Sequence, residues 1–145
     1  MESIALESIQ LGVHADSWEE SIRIAAEPLL DRGSIDRTYA ERMVESVNRL
    51  GPYIVIMPGF ALAHAAPGDG VTVNDLSIAR FDSDIEFHCD HDPVRIVMCL
   101  ACTDSESHVA RLQRIAEKLL DDGFLDSLMS AESPKAMYAL LNGLG

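Results

Sequence analysis

Residues Val94 to Ala101, reading Val-Arg-Ile-Val-Met-Cys-Leu-Ala, form a nearly continuous apolar run with a β-branched bias. Such a run marks a strand buried in a sheet rather than one alternating between core and water. Helical patterns lie on both sides of it in the chain. Upstream, Trp18, Ile22, Ala25, Ala26 and Leu29 share one helical face, as do Tyr39, Met43, Val44, Val47 and Leu50. Downstream, Val109, Leu112, Ile115, Ala116, Leu119 and Leu120 trace another amphipathic helix, and Met137, Leu140 and Leu141 a last one. Runs of helix flanking a central set of strands predict an α/β protein, a three-layer α/β/α sandwich with a central mixed β-sheet.

Turn and cap residues divide the remainder. Ile9, Leu11 and Val13 alternate with polar or small residues as a short strand would. Ser17-Trp-Glu-Glu20 has the capping-box pattern, Pro28 falls where it would kink the last turn, and Asp36 and Gly51 bracket the second helix. Tyr53 to Met57 reads as a buried strand that gives way to a Pro- and Gly-rich loop holding His64. Val71 to Phe81 reads as a strand of uncertain register, with Ile85 to Phe87 pairing back across an Asp82-Ser-Asp84 turn. Ser105 is the expected cap of the helix after Val94–Ala101. Gly123 is its stop, a short turn of helix covers Phe124 to Met129, and Ser133-Pro134 opens the last helix. The expected order is β-α-α-β-β-β-α-α.

A chain of 145 residues with 48% hydrophobic content is about one domain long and can build one sizeable core. Eleven Lys and Arg against 24 Asp and Glu leave a net charge of −13, which disfavours nucleic acid and anionic lipid as partners. No apolar stretch approaches the roughly 20 residues needed to cross a bilayer, and the acidic start lacks a basic signal-peptide region, so a cytoplasmic protein is expected.

Two histidines stand out. His64 lies in a loop anchored by a strand, where reactive side chains are commonly presented. His108 falls in the first turn of its helix on the face of Leu112 and Ile115, near backbone N–H groups and the positive dipole end that favour a phosphoryl group. If the strands preceding them are neighbours, both imidazoles meet at one edge of the sheet. Cys99-x-x-Cys102 lies in the buried strand, where residues three apart point to opposite faces, so it reads as packed free thiols. His88-Cys-Asp-His91-Asp92, taken with His64 and His108, raises a metal-dependent hydrolase. A catalytic metal needs about three ligands at fixed geometry, however, and this cluster reads as a solvated turn.

The segment Gly51-Pro-Tyr-Ile-Val-Ile-Met-Pro-Gly-Phe-Ala-Leu-Ala-His64-Ala65 closely resembles the active-site segment of enzyme IIA proteins of the bacterial sugar phosphotransferase system. The resemblance is to the mannitol–fructose type, most of all to its ascorbate-specific branch. Ile9-Gln-Leu11, Ser17-Trp-Glu-Glu-Ser-Ile22, Asp92-Pro-Val94 and Asp104-Ser-Glu-Ser-His108 follow in the family's order. It implies a single enzyme IIA domain over residues 1–145 and a phosphocarrier that needs no cofactor and no metal. His64 would accept a phosphoryl group, on Nε2, from the carrier protein HPr. The group would then pass to a cysteine of an enzyme IIB that serves a membrane IIC permease, for uptake of ascorbate or a related carbohydrate. His108 matches the family's second active-site histidine, expected to help hold the phosphoryl group.

Two positions depart from the family pattern. Family members usually carry Pro before the active histidine, where this chain has Ala63, and commonly Arg two residues after it, where this chain has Ala66. The first change frees a backbone φ and the second removes a cation from the loop. They bring in a second functional expectation, a regulatory protein that signals through His64 phosphorylation. Met57, Phe60, Ala61, Leu62 and Ala63 are candidates for an apolar docking surface around His64, with core packing as the other reading of Phe60 and Leu62.

Overall fold

The computed structural model describes residues 4–141. Strand β1 (Ile9–Val13) leads into α1 (Trp18–Asp31) and α2 (Arg37–Leu50). Four strands follow, β2 (Val55–Met57), β3 (Gly59–Ala63), β4 (Asp75–Ile85) and β5 (Val94–Ala101), then α3 (Ser105–Leu119), α4 (Phe124–Ser130) and α5 (Pro134–Leu141). Helix starts are set by short polar side chains that accept orphan backbone N–H groups. Ser17 accepts from Glu20 N at 3.2 Å, and Asp36 from Tyr39 N at 3.0 Å. At α3 the cap is Asp104, accepting from Ser107 N at 2.8 Å, rather than the expected Ser105. A carboxylate one residue earlier outcompetes the serine hydroxyl, because a charged acceptor also favours the positive helix end.

The five strands form one mixed sheet in the order β1-β4-β5-β3-β2. β1 runs parallel to β4 and β3 parallel to β5, whereas β4–β5 and β2–β3 are antiparallel. As its nearly continuous apolar run requires, β5 lies at the centre. Two strand expectations are corrected. The segment leading to His64 is itself a strand, β3, reached from β2 by a reversal at Pro58-Gly59, where Gly59 takes φ 88°. Its residues show no alternation because both faces are buried. The Asp82-Ser-Asp84 segment does not turn but stays within an eleven-residue β4, and the Ile85–Phe87 hairpin is absent. An irregularity between Arg80 and Ile85 absorbs the extra residues, with Arg95 of β5 donating to the Phe81 carbonyl and to Asp84.

Alternate residues of the central strands feed two cores. Ala61, Ala63, Ala79, Cys99 and Ala101 face α1 and α2, where Ile22, Leu29, Tyr39 and Met43 pack on them. Phe60, Leu62, Ile78, Ile96, Met98 and Leu100 face α3, α4 and α5. On the first side these small sheet residues lie under large helix residues, whereas on the second large sheet residues meet Ile115, Leu119, Leu128 and Met137. This is the three-layer α/β/α arrangement.

Candidate functional site

β3 and β5 are parallel neighbours, with Ala63 opposite Cys99, so both strands run out at the same sheet edge. His64 is the next residue after β3. β5 continues through Cys102 to the Asp104 cap, which places His108 in the first turn of α3. The two imidazoles come together with ring centroids 5.4 Å apart and planes inclined at 56°. His88 and His91 precede β5 and so lie at its opposite end, a strand's length away. The four histidines of the metal reading are therefore not assembled. The two cysteines of the Cys99-x-x-Cys102 motif are divided between the two cores, both fully buried.

The His64 ring has a defined orientation. Its Nδ1 lies 2.8 Å from the Leu62 carbonyl, which can only accept, so Nδ1 carries the proton and Nε2 keeps its lone pair. The Tyr53 ring stands edge-on to the imidazole, 5.3 Å between centroids at 84°, and its hydroxyl donates to the His64 carbonyl. Burial pushes the His64 pKa below 6.5; the Leu62 hydrogen bond works against this and the neighbouring His108 adds to it. Burial likewise lowers the pKa of His108. Its Nδ1 is buried and finds no partner among the described residues. The site thus holds two neutral imidazoles near pH 7, one with a free Nε2, beside the N-terminus of a helix.

The segment after His64 is stitched to α2 and the turn before it. Tyr39 accepts the Ala65 N–H, and Asp36 N donates to the Gly70 carbonyl at 2.9 Å. Thr72 N donates to the Ser34 carbonyl at 2.8 Å. Arg42 donates to the carbonyls of Ala66 and Asp69. A guanidinium thus reaches the Ala66 position from α2, although the loop itself carries no arginine there. Periodicity had placed Tyr39 only on the core-facing stripe of α2, and Arg42 carried no signal at all. Partner contacts of this kind depend on where the loop folds back.

The expected apolar docking surface is mostly core. Phe60, Ala61 and Ala63 are fully buried and Leu62 nearly so, because they belong to β3 rather than to a loop; Met57 is partly buried. Exposed apolar side chains do remain beside the histidines: Tyr53, whose ring packs on His64, is 40% exposed, and Val109, which follows His108 in the chain, 53%. Among the described residues no helix is long and apolar enough to cross a membrane.

Comparison with known proteins agrees with this arrangement. The chain is 31% identical over 136 residues to SgcA of Escherichia coli (strain K12), a protein assigned as a phosphotransferase IIA component, covering 93% of this chain and 95% of SgcA. It is 28% identical over 137 residues to the ascorbate-specific PTS system EIIA component of the same organism, covering 93% and 89%. The solution structure of the mannitol-specific cryptic phosphotransferase enzyme IIA CmtB from Escherichia coli superposes with a TM-score of 0.86 at 27% identity, covering 96% and 95%. A complex of enzyme IIAMTL with phosphorylated enzyme IIBMTL from Escherichia coli shares the fold, with a TM-score of 0.84 at 24% identity, covering 97% of each chain. The family model for the phosphoenolpyruvate-dependent sugar phosphotransferase system, EIIA 2, matches residues 2–143, and the chain belongs to that family, a IIA component that transfers phosphoryl groups between proteins.

Proposed function

We propose that the chain is a cytoplasmic phosphohistidine carrier that takes a phosphoryl group from HPr on Nε2 of His64 and passes it to a cysteine of an enzyme IIB. The observation that carries this reading is the hydrogen bond from His64 Nδ1 to the Leu62 carbonyl, which leaves Nε2 as the nucleophile. In the first step the Nε2 lone pair attacks phosphorus and the nitrogen–phosphorus bond of the donor phosphohistidine breaks. In the second a IIB thiolate attacks and the His64 nitrogen–phosphorus bond breaks, returning a neutral imidazole. Such transfers need alignment and charge stabilisation more than covalent apparatus. His108 and the first turn of α3 supply these: a phosphoryl dianion on His64 raises the proton affinity of the neighbouring imidazole and faces the positive helix end.

A IIB partner is supported by the mannitol IIA complexed with its phosphorylated IIB, and ascorbate or a related carbohydrate by the relative of that specificity. A membrane IIC would then take the group onward to the sugar. The test is intact-mass analysis after incubation with phosphoenolpyruvate, enzyme I and HPr. One acid-labile phosphoryl adduct is expected on the parent, lost in His64→Ala and slowed in His108→Ala. An adduct that survives in His64→Ala would overturn the assignment. A parent that HPr does not phosphorylate would instead point to a regulatory protein of the same family.

A further inference from the structure

The peptide unit that joins His64 to Ala65 is held at both ends by tyrosine hydroxyls. Tyr53 donates to the His64 carbonyl at 3.1 Å, and Tyr39 accepts the Ala65 N–H at 3.1 Å. The single hydroxyl proton of Tyr39 is committed to the Leu100 carbonyl at 2.8 Å; the Ala65 carbonyl, at 3.4 Å, is the poorer acceptor. Leu100 belongs to β5, four residues before the Asp104 cap of the His108 helix. One buried oxygen therefore ties the backbone after His64 to the strand that delivers His108. Tyr39 is fully buried and Ala65 nearly so, so water does not substitute for these bonds. Core packing by itself asks only for a ring at position 39, and a phenylalanine would fill the same space.

The geometry explains why this grip matters for the imidazole. On its N-terminal side His64 is held by the β3–β5 ladder, in which Ala63 lies opposite Cys99. On its C-terminal side the two hydroxyls hold the His64–Ala65 peptide, so the Cα that carries the imidazole is anchored from both directions beside the Leu62 carbonyl. The edge of the Tyr53 ring adds a lateral stop. We propose that Tyr39 and Tyr53 are positioning residues for His64, whose hydroxyls lock the His64–Ala65 peptide so that Nδ1–H stays on Leu62 and Nε2 faces the phosphoryl donor. The inference rests on His64 being the phosphoryl acceptor and extends the site to two residues not assigned to the transfer.

The test uses Tyr39→Phe and Tyr53→Phe in the full chain, each deleting one oxygen and keeping the ring. Two measurements are made: nitrogen NMR of the His64 imidazole with amide exchange at Ala65 in unphosphorylated protein, and phosphoryl uptake as a function of HPr concentration. The parent is expected to show a single tautomer with the proton on Nδ1. Tyr39→Phe should show mixed tautomers, faster Ala65 exchange and an uptake kcat lower by about tenfold at unchanged KM for HPr, with a smaller loss in Tyr53→Phe. Retention of the parent tautomer and the parent kcat in both variants overturns the proposal, whatever the melting temperatures do. Should Tyr39→Phe not fold, the surface variant Tyr53→Phe decides alone by the same two readouts. A parent that takes up no phosphoryl group defeats the phosphocarrier reading, while tautomer and amide exchange still decide whether the hydroxyls orient the imidazole.

Discussion

His64 is half-buried at the end of a strand, with its ring proton on one carbonyl and a second imidazole beside it. Burial lowers its pKa from 6.5, and that of His108 also. The neutral, nucleophilic form therefore persists to more acid pH than in a free histidine. We expect the acid limb of phosphoryl uptake, and the His64 NMR titration in the unphosphorylated protein, to have midpoints below 6.5; a midpoint at or above that value would contradict the burial argument. The same shifts couple to stability with a definite sign. In the window below 6.5 the unfolded chain takes up protons that the folded imidazoles refuse, so their contribution is intact above 6.5 and lost as pH falls through the lowered values.

At the scale of elements, α2 acts as the rack on which the loop after His64 hangs. Asp36, Tyr39 and Arg42 recur every three residues, and each meets the segment after His64: Asp36 at Gly70, Tyr39 at Ala65, Arg42 at Ala66 and Asp69. With Ala63 in place of proline, backbone restraint comes from the β3–β5 ladder on one side and this helix on the other. Gly70 marks the closest approach. It takes φ 82°, and a Cβ there would lie 2.7 Å from the Asp36 cap oxygen and 3.0 Å from Tyr39 Cβ. Gly70→Ala thus combines a left-handed backbone penalty with displacement of a helix cap, a loss of about 2–3 kcal/mol in urea unfolding. A change under about 0.5 kcal/mol would show that the loop has room to move off α2.

At the scale of the whole molecule, the sheet separates two cores that share no side chains, and the cysteines report on each. Cys99 lies under α1 and α2, and Cys102 under α3, both fully buried, whereas Cys89 is partly exposed. Burial pushes the Cys99 thiol up to about 12 and raises Cys102 as well, so neither offers a thiolate near neutral pH. Mass-resolved labelling of native protein with a thiol reagent should modify Cys89 first. Cys99 and Cys102 should react together, at the rate of global unfolding. Early labelling of Cys102 alone would mean that the α3 layer opens separately, carrying His108 with it.

Periodicity and caps were enough, from the amino-acid order alone, for the helices, the buried central strand, the layer architecture and the two opposed cysteines, because each depends on residues within a few positions of one another. The family motif around His64 was legible for the same reason. Strand β3 was not, since a strand buried on both faces has no alternation, and its Phe-Ala-Leu-Ala run after Pro58-Gly59 looks like loop until β5 lies beside it. Nor was the bulged passage of β4 through Asp82-Ser-Asp84, which Arg95 stabilises from the neighbouring strand. The meeting of His64 and His108, conditional on strand adjacency in the sequence, was decided by parallel pairing of β3 with β5. The guanidinium at Ala66 and the two hydroxyls on the His64–Ala65 peptide belong wholly to the tertiary structure. They join residues 11 to 26 positions apart through backbone groups, which every residue possesses and no sequence pattern distinguishes.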